Sequence, residues 1–184
     1  FAMGVGLAIA EKMMAERFNK PDFTLFDHHI YALVSDGDLM EGVASEAASL
    51  AGTLGLGKLV YLYDDNQITI EGSTDLAFTE DVRGRFLAYG WQVIPVSQGD
   101  DLGSIYLAIE NARAEKDRPS LIMVKTKLGA GSPKENSPKA HGEPLGAEGI
   151  RATRQFYGDP EDQEFTGDPR VYGNFEKRGA IQPE

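Results

Sequence analysis

The chain has 184 residues and a mass of 20.0 kDa, enough for one domain with a substantial core. Apolar residues make up 41% and charged residues 26%, which excludes disorder or a fibrous architecture for its bulk. With 18 basic against 29 acidic side chains, the formal net charge of −11 argues against a nucleic-acid or anionic-membrane surface, since both need clustered cations. An anionic ligand would then need a metal ion or a local nest of backbone amides. The chain has no Cys, and so no disulfide, thiolate nucleophile or Cys-based zinc site, and a cytoplasmic setting is expected. No apolar run approaches the roughly 20 residues of a membrane span.

The opening segment, Phe1 to Ala10, is apolar nearly all round and starts without a cap or an initiator Met. Such a helix belongs buried in a larger body, so the chain is expected to begin inside a domain. Asn19-Lys20-Pro21-Asp22 stops the helix, and Ile30 to Val34 suits a short buried strand. Ser35-Asp36-Gly37-Asp38 ends that strand. A small-residue helix is expected from about Leu39 to Leu54, with Ala44, Ala47, Ala48 and Ala51 permitting close approach of a neighbour. Gly55 and Gly57 close it.

Leu59 to Tyr63 reads as a second buried strand, followed by turn chemistry in Asp64-Asp65-Asn66-Gln67. A helix around Asp81 to Tyr89 leads to a strand at Trp91 to Ile94, where Pro95 marks a sheet edge or a strand end. Ile105, Ala108, Ile109 and Ala112 share one helical face before Asp117-Arg118-Pro119 stops it. Ser120 to Val124 is a fourth strand. Residues 127–146 turn to Gly, Pro, Lys and Ser, the composition of a functional or mobile loop. A short helix from about Ala147 to Phe156 precedes a polar tail. Strand and helix alternate throughout, which predicts an α/β fold with an open parallel sheet covered by helices on both faces.

In such sheets ligands bind outside the carboxyl ends of the strands. Asp36 stands just past the first strand and Asn66 just past the second, one strand–helix–strand crossover apart. Neighbouring parallel strands would bring that carboxylate and that carboxamide oxygen to one edge. Hard oxygen donors suit Mg²⁺ or Ca²⁺, and few protein ligands leave room for waters or phosphates. Gly37 lets a phosphate approach the backbone, and the helix that follows points its N-terminal amides at the same spot. The pattern describes a metal-bridged diphosphate site. Simpler roles exist for the same residues: Asp36 or Asp38 as a helix cap, Asp38-x-x-Glu41 as a capping box, Asn66 as a turn residue and His141 as an exposed loop residue.

Asp36-Gly37 followed by Asn66 resembles the thiamine diphosphate motif, usually written GDG followed by NN. Around it, Ser35-Asp36-Gly37-Asp38-Leu39-Met40-Glu41-Gly42, Ser49-Leu50-Ala51-Gly52-Thr53-Leu54 and Tyr63-Asp64-Asp65-Asn66-Gln67-Ile68-Thr69-Ile70-Glu71-Gly72 are similar to transketolases. So are Ala88-Tyr89-Gly90-Trp91, Lys125-Thr126, Gly129-x-Gly131-Ser132-Pro133 and His141-Gly142-x-Pro144-Leu145-Gly146. The resemblance runs over residues 1–157, as part of the diphosphate-binding domain with its start missing. Residues 158–184 are expected to be a polar tail or linker.

The resemblance implies a thiamine diphosphate-binding fold and transfer of a two-carbon ketol unit from a ketose phosphate to an aldose phosphate. It implies that Asp36, the Asn66 side chain and the Ile68 backbone carbonyl ligate Mg²⁺ or Ca²⁺, and that Gly37 and Asn66 contact the cofactor diphosphate. His141 would face both the diphosphate and the sugar donor, where an N–H can stabilise developing negative charge. Glu41 would belong to a carboxylate network linking cofactor sites across a homodimer. His28 and His29 match no functional position and are read as structural. Two departures stand out: Ser35 replaces the first Gly of the motif, placing a Cβ at a tight turn, and Asp65 replaces its first Asn.

Three other readings follow from the same residues. A dihydroxyacetone synthase would share the diphosphate site and differ in its acceptor. One half of a split enzyme, inactive alone, would meet a separate pyrimidine-domain chain. An aspartyl-phosphate phosphatase would use Asp36-x-Asp38, yet Leu39-Met40 supplies no Thr where that chemistry wants one.

Overall fold

The computed structural model describes residues 1–161, 163, 165 and 167–179, excluding the side chain of residue 178. These fall into two compact bodies: Phe1–Ala130 with Lys134–Pro144, and Gly131–Pro133 with the described residues from Leu145 on.

The first body is built on a four-stranded, all-parallel sheet in the order β1-β2-β4-β3: β1 (Ile30–Ser35), β2 (Leu59–Asp65), β3 (Gln92–Val96) and β4 (Ser120–Lys125). The helices are α1 (Ala2–Phe18), α2 (Asp36–Met40), α3 (Gly42–Thr53), α4 (Val82–Ala88), α5 (Leu102–Ala114) and a short α6 (Lys139–Gly142). A single 3₁₀ turn, Thr74–Leu76, lies ahead of α4. The predicted open parallel sheet with helices on both faces is the one observed.

Side-chain alternation along the strands sorts the core into two layers. On one face Val5 and Ala8 of α1, Ala47, Ala48 and Ala51 of α3 and Phe86 of α4 pack with Tyr61, Tyr63 and Leu121. On the other, Ala108 and Ala112 of α5 pack with Val60, Ile122 and Val124, joined by Ile105 and Ile109 as the helical period predicts. The small-residue face of α3 is fully used. A Cβ on its Gly52 would lie 1.7 Å from the Tyr89 backbone carbonyl oxygen.

The centre of the first layer is aromatic. Phe1 meets Tyr61 edge-on at 4.4 Å between ring centroids, and Phe86 meets Trp91 at 5.2 Å and 90°. Trp91 is fully buried and donates its indole N–H to the Ala48 carbonyl at 2.8 Å. Buried aromatic rings of this kind need such a partner for their polar atom. Tyr61 donates to the Phe1 carbonyl, and burial pushes its phenol up to about 12.

Several local expectations shift. The single helix expected over Leu39 to Leu54 is two, parted at Glu41, whose backbone is extended (φ −69°, ψ 131°). The Arg85 guanidinium takes the Leu39 carbonyl at 3.2 and 3.3 Å, and an uninterrupted helix would need that same carbonyl for its own ladder. Asp64 and Asp65 are the last residues of β2 instead of a turn, because β4 continues to pair with them. Trp91 precedes β3 instead of starting it. Pro95 sits on β3, an edge strand, where a missing N–H is tolerated. One side of α1 packs on the sheet, while Met3, Leu7 and Met13 on its other sides are exposed.

The second body contains α7 (Gly146–Tyr157), ended by Gly158 at φ 71°, and a helix α8 (Pro169–Gly179) within the segment read from sequence as a polar tail. Residues 180–184 of that segment lie outside the described residues.

The Gly52 contact generates a stability prediction. Gly52→Ala is expected to destabilise the fold by about 1–3 kcal/mol, because a backbone carbonyl cannot rotate away as a side chain can. Urea denaturation measures it, and a variant with an unshifted midpoint contradicts this packing.

Candidate functional site

The site forms where β1 and β2 end. Ser35 pairs in register with Asp64, so Asp36, just past β1, and Asp65-Asn66, at the end of β2, leave the sheet at the same edge. This is the juxtaposition anticipated from one crossover.

Asp36 opens α2. Ser35 is its N-cap, with φ −127° and ψ 179°, an extended conformation open to any residue. The serine in place of the motif's first Gly therefore strains nothing. Its backbone N–H donates to Asp38 Oδ2 at 2.8 Å and its hydroxyl to the same oxygen at 3.2 Å. The capping box is thus Ser35-x-x-Asp38, in place of the expected Asp38-x-x-Glu41, because the helix starts earlier than its apolar pattern indicates.

Only 3% of Asp36 is exposed. Its Oδ1 accepts the Tyr63 hydroxyl, while its Oδ2 is buried without a hydrogen-bond partner. Burial pushes the carboxyl above the ordinary range, and nearby Asp65 and Asp64 push the same way; the Tyr63 hydroxyl opposes them, as does the nearby Gln67 backbone N–H, which lies outside hydrogen-bond geometry. Burial, then the Asp36 carboxylate, drives the Tyr63 phenol up in turn. Asp65 is also raised, chiefly by burial and against the pull of Lys125. A buried carboxylate oxygen with no donor costs free energy wherever it stays charged and unmatched.

Asn66 is held on both ends of its carboxamide. Its Nδ2 donates to Asp64 Oδ2 at 3.0 Å, and its Oδ1 accepts the Ile68 N–H at 2.9 Å. Asp64 is anchored in turn by the Thr126 hydroxyl from the end of β4. Between Asn66 and Ile68 the chain reverses through Gln67 at φ 62°, a left-handed conformation uncommon for a residue other than Gly. An isolated bridge then pairs Ile68 with Ser73 through Thr74 N–H to Gln67 O (3.0 Å) and Thr69 N–H to Gly72 O (2.7 Å). Those bonds leave the Ile68 carbonyl outside the ladder.

A cavity of about 200 Å³ opens beside these residues, lined by Asp36, Tyr63, Asp65 and Gln67 from the strand ends and by Thr74 and Arg83 from the next segment. Gly37 is exposed, and a Cβ there would meet nothing within 4 Å, so its backbone is approachable. Its helix α2 has only five residues and contributes one turn of amides. Glu41 is exposed at the α2–α3 break and makes no capping bond with its side chain. His141 is exposed on α6. Of the expected site residues only Asp36 lines the cavity; Gly37, Glu41, Asn66, Ile68 and His141 do not.

The donor set at the strand ends is hard oxygen: an unpartnered carboxylate oxygen, a carboxamide oxygen with a second lone pair, and a carbonyl outside its ladder. Among the described residues no cluster of three His, Cys, Asp or Glu could hold an ion by itself. A cation here would therefore draw on amide and carbonyl oxygens, and the residues present fit a divalent ion of the Mg²⁺ or Ca²⁺ type. Asp64, Tyr63, Thr126 and Gln67 escaped notice as functional candidates. Tyr63 reads as core in an apolar strand, and nothing local to Thr126 indicates its partner 62 positions earlier.

The model of the thiamine diphosphate-binding domain of transketolase matches residues 1–182. The chain belongs to the transketolase family. It is 56% identical over 156 residues to the transketolase of Streptococcus pyogenes, covering 85% of this chain and 21% of that protein. It is 53% identical over 166 residues to the chloroplastic transketolase of Zea mays, covering 89% and 25%. A crystal structure of the Pichia stipitis transketolase in complex with sedoheptulose 7-phosphate superposes with a TM-score of 0.94 at 40% identity, covering 97% of this chain and 27% of that one. Transketolase from Leishmania mexicana gives a TM-score of 0.93 at 42% identity, covering 96% and 26%. The chain thus spans about a quarter of the length of these transketolases. The match falls on their thiamine diphosphate-binding domain, and among the described residues no helix is long and apolar enough to cross a membrane.

The raised Asp36 carboxyl sets a pH dependence. The folded state binds that proton more tightly than the unfolded chain, so its contribution is fully present below the ordinary 3.8 and is lost as pH rises through the raised value. Without metal or cofactor, Asp36→Asn is expected to be more stable than wild type at neutral pH, with the gap closing below 3.8. Urea midpoints across that range measure it, and a less stable variant at neutral pH contradicts the assignment.

Proposed function

We propose that the chain supplies the metal and diphosphate anchor of a transketolase, which moves a two-carbon ketol unit from a ketose phosphate to an aldose phosphate. The observation that carries this reading is the buried, unpartnered Oδ2 of Asp36 at the carboxyl ends of two neighbouring parallel strands. In a thiamine diphosphate-binding domain, a divalent cation would match such an oxygen and supply positive charge for the diphosphate. Asp36, the Asn66 carboxamide oxygen and the Ile68 carbonyl would hold the ion, with Mg²⁺ or Ca²⁺ as candidates. Gly37, with open space at its α-carbon, would let the diphosphate approach the backbone beside Asn66.

Bound thiamine diphosphate supplies the carbon–carbon bond chemistry, and the protein supplies placement and electrostatics. In this reading the His141 N–H donates to negative charge developing on the sugar donor. Glu41 joins a carboxylate network that links cofactor sites across a homodimer; the alternative partner is a separate pyrimidine-domain chain. Sugar phosphates are the substrates, as in the relative solved with sedoheptulose 7-phosphate. The part assigned to the anchor is residues 1–157, with 158–184 as a tail or linker. A cytoplasmic setting completes the reading, on the absence of Cys.

A dihydroxyacetone synthase would present the same anchor, and comparing formaldehyde with ribose 5-phosphate as acceptor separates the two. In the full-length protein, Asp36→Ala is expected to abolish metal-dependent retention of thiamine diphosphate; calorimetry showing unchanged affinity overturns the metal assignment. His141→Ala is expected to lower kcat by about 10²-fold or more, the scale of losing one charge-stabilising donor, with a smaller change in cofactor affinity. Steady-state kinetics at wild-type values refute that role.

A further inference from the structure

The Asp36 carboxylate is divided by its surroundings into one occupied and one free oxygen. Oδ1 accepts the Tyr63 hydroxyl, and Oδ2 is buried without a partner. The donor is as fixed as the acceptor. Tyr63 is 2% exposed and lies on a central strand, paired in register with Val34 of β1 and Met123 of β4. Its ring cannot swing aside without breaking the layer that holds α3 and α4 on the sheet.

A carboxylate meets a cation with one oxygen or with both. Mg²⁺ takes near-octahedral single oxygens at about 2.0–2.1 Å, whereas Ca²⁺ takes about 6–8 oxygens at about 2.3–2.6 Å and readily accepts both from one carboxylate. A hydroxyl donor seated on Oδ1 competes directly with the two-oxygen mode. We propose that Tyr63 is a positioning residue that confines Asp36 to one-oxygen contact and thereby biases this site toward Mg²⁺ over Ca²⁺. The inference rests on Asp36 being a cation ligand, as set out above. The hydroxyl also satisfies a buried polar pair, and that role alone would weaken both ions equally on its loss.

The test uses the full-length protein and its Tyr63→Phe variant, each freed of metal. Mg²⁺ and Ca²⁺ are titrated separately in the presence of thiamine diphosphate, with calorimetry as the readout. Mg²⁺ affinity is expected to fall about tenfold, as for loss of an outer partner of a ligand, with Ca²⁺ affinity held or raised. The preference then moves about tenfold toward Ca²⁺. An equal fall for both ions, or no change in their ratio, overturns the role of Tyr63. A second measurement needs no variant to fold: infrared bands of ¹³C-labelled Asp carboxylates in the wild-type protein. The wide splitting of one-oxygen contact is expected with either ion, and the narrow splitting of two-oxygen contact with Ca²⁺ overturns the proposal. Asp36→Asn separates the two levels. If it keeps metal-dependent cofactor binding, the cation assignment itself fails; if it loses that binding while Tyr63→Phe leaves the ratio unmoved, only the positioning role falls.

Discussion

A carboxylate is held 97% out of water at the end of a strand, with one oxygen matched and the other not, and the site is organised around that imbalance. Burial raises the Asp36 carboxyl above its ordinary range, so its ionised form weakens the fold that contains it. A cation beside Oδ2 would reverse the sign of that effect. A cation bound there would offset that cost to stability, a trade familiar at functional sites.

The parallel sheet makes the imbalance possible. Neighbouring strands deliver Asp36 and Asn66 to one edge, and the partners that hold them come from elsewhere in the chain. Thr126 reaches Asp64 from the end of β4, and Asp64 turns the Asn66 carboxamide. Arg85 on α4 grips the Leu39 carbonyl and the Ser45 hydroxyl, so the turn that begins with Asp36 is tied to the helix behind it. It also pairs with Glu80 at 2.9 Å. In the proposed role, rigid partners of this kind would fix the ligand atoms to within the tolerance that cofactor chemistry demands.

Much of this was legible in one dimension. Four apolar runs bounded by Gly, Pro and Asp marked the four strands, and alternation with helical patterns implied the parallel sheet. Asp36, Gly37 and Asn66 were conspicuous because they stand at the ends of two strands one crossover apart, although Asp36 alone could cap a helix and Asn66 alone could make a turn. The departures have a common source. The α2–α3 break, the length of β2 and the Ser35 box all depend on partners distant in the chain: Arg85 for the first, β4 for the second, and for the third a helix start invisible to apolar periodicity. His141 and Glu41, reached only through family resemblance, are exposed in this domain and stand outside the cavity.

The amino-acid sequence by itself determined the layer architecture and the edge at which a ligand would sit, because hydrophobic period and strand-end chemistry are local properties; the family came from the likeness of whole motifs. Only the tertiary structure decided which oxygen of Asp36 is free. That depends on Tyr63, 27 residues away, whose hydroxyl reaches Asp36 through the register of two strands. A tyrosine in a buried strand reads as core from its apolar ring. Its one polar atom acquires meaning only from the neighbour that packing places beside it.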